Sequence, residues 1–146
     1  MKELHPNILD DYEHQVNKLI ELHREESDFP EMESFGVNRE LLDDYLFNYQ
    51  AILDSEGSQR SQQTVYGIIA LVPVIVLSAF PIQLLPWKNE TLTLLVGIVV
   101  GVALSLIIKG IRVVMKRRNL QRHKDSNPDV VAYVDAVINY HNNKQD

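Results

Sequence analysis

Five histidines are the first residues to test for chemistry, because imidazoles beside carboxylates hold metals and move protons. Asp11-x-x-His14 is one half of the helical carboxylate–histidine arrangement found in di-metal bundles, but a second half is missing. His5, His14 and His23 follow one another at intervals of nine. Nine steps of about 100° place His14 and His23 on opposite faces of a helix. The chain has no cysteine, which removes thiolate metal sites and disulfides. No phosphate-cradling glycine loop, nucleophile elbow or HExxH helix occurs. These residues predict no metal, no cofactor and no enzyme activity.

A second constellation is mechanical. Gly97, Gly101, Ser105, Lys109, Arg112 and Lys116 fall within an arc of about 120° when each residue advances about 100°. This face is small, then polar, then cationic. Two uses are open to it. Small residues let helices approach closely in lipid, the neighbour being another helix of the chain or another subunit. Alternatively, Gly97, Gly101 and Ser105 line a pore in an oligomer, with Lys109 and Arg112 ringing an anion-favouring mouth. Pro73 removes one helix hydrogen bond and predicts a kink. Lys116, Arg117, Arg118, Arg122 and Lys124 suit anionic lipid, at about 1 kcal/mol per charge near a membrane surface, or an acidic protein surface.

The elements that carry these residues are unusually apolar. Residues 65–82 and 91–108 contain no charged side chain. At about 1.5 Å per residue each run spans roughly 27 Å, close to a bilayer's hydrocarbon core. They predict a transmembrane hairpin, with helices over about 65–86 and 91–114, Pro86 ending the first and the second continuing past Lys116. Basic residues cluster after the second run, whereas the tip offers only Lys88. By the positive-inside rule both termini are cytoplasmic. Tyr66 and Trp87 suit interfacial anchors. Asn89-Glu90-Thr91 fits a glycosylation pattern but lies against the bilayer. The opening residues have no basic start and no continuous apolar stretch, so no signal peptide is expected and the first run is its own insertion signal.

The flanks read as amphipathic helices. Over 7–26, Ile8, Leu9, Tyr12, Val16, Leu19, Ile20 and His23 keep one face, with Asn7 as cap. Over 39–55, Leu41, Leu42, Tyr45, Leu46, Tyr49, Ile52 and Leu53 do the same behind Asn38, and Gly57 closes the segment. Between them, Phe29, Met32 and Phe35 tuck a Pro30/Gly36 connector onto the helices. From Pro128, with Asn127 as cap, Val130, Val134, Val137, Ile138 and His141 share a face. Residues 1–60 hold five Lys/Arg against fifteen Asp/Glu, and residues 61–146 nine against five. The acidic front half excludes nucleic-acid binding by phosphate neutralisation.

The expected fold is an all-α membrane protein. Its parts are an acidic cytoplasmic helical hairpin (1–60), a transmembrane hairpin (61–115), and a basic juxtamembrane segment with a C-terminal amphipathic helix (116–146). The N- and C-terminal helices build a small cytoplasmic bundle. In layout the chain resembles the SLATT-type two-transmembrane effectors of bacterial conflict systems. That resemblance implies self-assembly, membrane perturbation in antiviral defence, and control by a cytoplasmic sensor or regulatory protein. The function expected first is an oligomer in a bacterial inner membrane that forms or gates a pore. The alternative is a membrane-anchored adaptor that recruits a cytoplasmic partner.

Overall fold

In a computed structural model, residues 12–146 are described. The proposed cap Asn7, together with Ile8, Leu9 and the Asp11 half of the histidine pattern, lies outside them. The described residues are all-helical, without a strand. Five α-helices follow in order: α1 (Tyr12–His23), α2 (Arg39–Asp54), α3 (Gln59–Ser78), α4 (Glu90–Ser126) and α5 (Pro128–Gln145). Single 3-10 turns lie at Met32–Phe35 and Ile82–Leu84. The chain divides into two compact units, Met1–Asp54 with Arg118–Asp146, and Ser55–Arg117.

The first unit folds as water-soluble bundles do, by burying one stripe of each helix. Val16 and Ile20 of α1, Leu42, Tyr45 and Leu46 of α2, and Val130, Tyr133, Val134 and Val137 of α5 make one apolar cluster with Val37. Phe29, Met32 and Phe35 of the connector pack on its edge, and the Phe35 ring meets Tyr133 edge-on at 5.8 Å. Gly36 turns the connector with φ +68°, and its N–H reaches back to the carbonyls of the 3-10 turn. Asn38 then caps α2, its Oδ1 accepting the Leu41 N–H at 2.8 Å. Burial, with Tyr49 and Asp135 nearby, pushes the Tyr45 hydroxyl up to about 12. The His123 ring stacks on Tyr45 at 4.6 Å and donates Nε2–H to the Tyr45 carbonyl at 3.0 Å.

Three local features differ from the sequence reading. Helix α3 begins at Gln59, earlier than the apolar run, because the Ser58 side chain accepts the Ser61 N–H and caps it. It stops at Ser78 rather than near Pro86. Pro81 has no N–H for a helix bond and disfavours helical backbone in the residue before it. Asn127 stands at the N-cap of α5 but does not cap it with its side chain. Its Nδ2 instead donates to the His123 carbonyl and closes the end of α4. Pro128, the first residue of α5, has no N–H that needs a cap.

Candidate functional site

The second unit is built around the small-residue face of α4. Gly97 and Gly101 are buried, and Ser105 is half-buried. What covers them is α3. A Cβ placed on Gly97 would stand 2.9 Å from Val74 Cα, and one placed on Gly101 would overlap the carbonyl of Ala70. One turn further on, the Ser105 hydroxyl donates to the Tyr66 carbonyl at 2.9 Å. Positions on α4 rise by four while their partners on α3 fall by four. The two helices therefore run antiparallel in a single register, backbone against backbone. Such an approach requires residues without side-chain bulk.

Pro73 lies inside α3, next to Val74 at one of the tight contacts. It leaves the carbonyl one turn earlier without its usual N–H partner. The connection from α3 to α4 is held by its own polar groups. Asn89 Oδ1 accepts the Thr91 and Leu92 N–H groups and caps α4. The Thr93 hydroxyl donates to the Asn89 carbonyl at 2.8 Å and accepts the Trp87 indole N–H at 2.8 Å. Lys88 supplies the bend with a left-handed φ of 45°. Buried Leu85 sits under the turn.

At the other end of the pair the cations divide by environment. Arg112 lies over the Tyr66 ring at 5.7 Å. Lys116 meets Glu56 at 3.5 Å, both side chains largely shielded. That contact ties the segment before α3 onto α4, and residues 55–60 fall in the same unit as α3. Lys109, Arg117, Arg118 and Arg122 are exposed, and Lys124 sits over the Tyr49 ring at 5.8 Å. The residues of the cationic face thus do not act as one set.

The outside of the helix pair is apolar. Ile68, Leu71 and Ile75 on α3 and Leu95, Val99 and Leu106 on α4 are each more than half exposed. Among the described residues, only these two helices are long and apolar enough to cross a membrane. Among the described residues no group of three or more His, Asp or Glu could hold a metal ion. Sequence reasoning did not find the His123–Tyr45 stack or a contact between His23 and His141. The one available signal was that His23 and His141 each lie on the apolar stripe of their helix. The chain matches no protein-family model, no curated protein and no solved structure.

Proposed function

We propose that this protein is a membrane-anchored helical adaptor of a bacterial inner membrane. In this reading α3 and α4 cross the bilayer as a hairpin, and both termini lie in the cytoplasm. The helical unit of α1, α2 and α5 recruits a cytoplasmic partner. One observation carries the choice of anchor over pore. The Gly97–Gly101–Ser105 stripe is occupied by the α3 backbone, and the large side chains left for lipid or for other copies are apolar. An apolar exterior suits hydrocarbon and offers no path for ions. Exposed Arg117, Arg118 and Arg122 then sit where anionic headgroups or an acidic partner are reached.

The pore reading rests on a different observation, the exposed Lys109 one turn beyond Ser105. It requires several copies, with Lys109 and Arg112 at a shared mouth and Pro73 as the bend between closed and open states. Subunit number separates the two readings. Native mass spectrometry from lipid nanodiscs is expected to give a monomer or dimer, and liposomes carrying the protein are expected to hold an anion gradient. A closed ring of four or more copies that dissipates the gradient overturns the adaptor and establishes the pore.

A further inference from the structure

His23 and His141 meet where the end of α1 packs on α5. His23 is only 7% exposed. Its Nε2 stands 2.9 Å from His141 Nδ1, and its Nδ1 stands 3.0 Å from Glu26 Oε1. His141 Nε2 in turn is 2.9 Å from the Gln145 amide nitrogen. The other Glu26 oxygen accepts from the Tyr140 hydroxyl and from the Lys144 ammonium. The Phe29 and Tyr140 rings flank His23 at 6.2 and 5.5 Å. The titratable groups around the pair are therefore Glu26 from the connector, and Tyr140 and Lys144 from α5.

Proton positions follow from this chain. An ionised carboxylate only accepts, so His23 carries a proton on Nδ1. With both rings neutral, His23 Nε2 accepts from His141 Nδ1–H, and His141 Nε2 accepts from Gln145. Every donor meets an acceptor. One added proton is tolerated: His23 donates from both nitrogens, His141 moves its own proton to Nε2, and the Gln145 amide turns to accept it. Two added protons are not tolerated, because N–H then faces N–H across 2.9 Å and two positive rings touch.

We propose that His23 and His141 form a proton-operated clasp between α1 and α5, closed with at most one added proton and released when both rings are charged. The sign is acid-release. Acidification supplies protons, and the closed pair has no place for a second one across 2.9 Å, so closure is present at neutral pH and is lost on acidification. Glu26 is not the group that switches. Its bonds from Lys144, then Tyr140 and His23, hold its carboxyl well below the usual range, at about 2. A depressed carboxylate contributes stability above its ordinary value and loses it only as pH falls through the lowered one. Glu26 therefore stays ionised at both pH values of the test below.

The test is hydrogen–deuterium exchange on the full chain in nanodiscs at pH of about 7.5 and 5, corrected for intrinsic exchange. Opening of α5 over residues 137–145 is expected to rise about tenfold or more on acidification, the scale of one lost hydrogen bond plus a charge repulsion. His141→Asn keeps a neutral N–H where Nδ1 stands and can turn its oxygen toward a charged His23, so its profile is expected to be flat. Unchanged protection in the wild type, or an equal loss in His141→Asn, overturns the clasp. Imidazole nitrogen NMR of the wild type provides a check that needs no variant. Nδ1–H tautomers on both rings are expected at neutral pH, and Nε2–H on neutral His23 overturns the assignment.

Discussion

The two units reach close packing by opposite means. Around Leu42, Leu46 and Tyr133 the first unit fills space with large side chains. At Gly97 and Gly101 the second removes side chains altogether, and its large apolar groups point outward. In the proposed membrane setting, the difference is one of solvent. In water, apolar area removed from contact is itself the driving force, at about 25 cal/mol per Å². In lipid that force vanishes, and only shape, van der Waals contact and interhelical hydrogen bonds remain. A substitution that merely removes volume should therefore hurt the first unit, and one that adds volume should hurt the second.

Gly101→Leu is the largest expected break. Its first added carbon already collides with backbone that no rotamer can move, so the α3–α4 pair should lose about 3 kcal/mol, the upper end of the usual overpacking cost. Detergent-titrated unfolding of the purified chain measures it, and a wild-type curve would contradict the packing. Gly110→Ala is the control that sharpens the point. A Cβ there meets nothing within 4 Å, and alanine favours helix over glycine by up to about 1 kcal/mol, so stability should hold or rise. Leu46→Ala acts on the other unit. Leu46 is fully buried, and the cavity should cost about 2–5 kcal/mol, read as a lower thermal midpoint of the first unit. Ser105→Ala is the smallest effect. Removing its bond to the Tyr66 carbonyl should cost about 0.6 kcal/mol, visible only in a careful detergent titration.

The same contrast explains what could be read from the sequence. Apolar stripes over α1, α2 and α5, and two uncharged runs, are enough to call the chain helical and its middle apolar, because periodicity and length report burial directly. Helix ends were less legible. The start of α3 depends on one hydroxyl, Ser58, and its stop on Pro81 rather than the equally plausible Pro86. Spacing marks Gly97, Gly101 and Ser105 as a smooth face but does not name the surface that covers it, the α3 backbone at Ala70 and Val74. The histidine pair was hidden for a related reason. His23 and His141 are over a hundred residues apart, and only the packing of α1 on α5 brings their nitrogens together.

The register of α3 on α4 has one further mechanical consequence. Sliding one helix along the other by a full turn, about 5.4 Å, would bring either Ser105 against Ala70 or Thr93 against Val74. Both carry a Cβ, and those two places admit only hydrogen or little more. The helices thus fit like a plug with two pins, which seats in one position and resists sliding to the next. A one-turn ratchet of α3 along α4 is therefore closed to this protein.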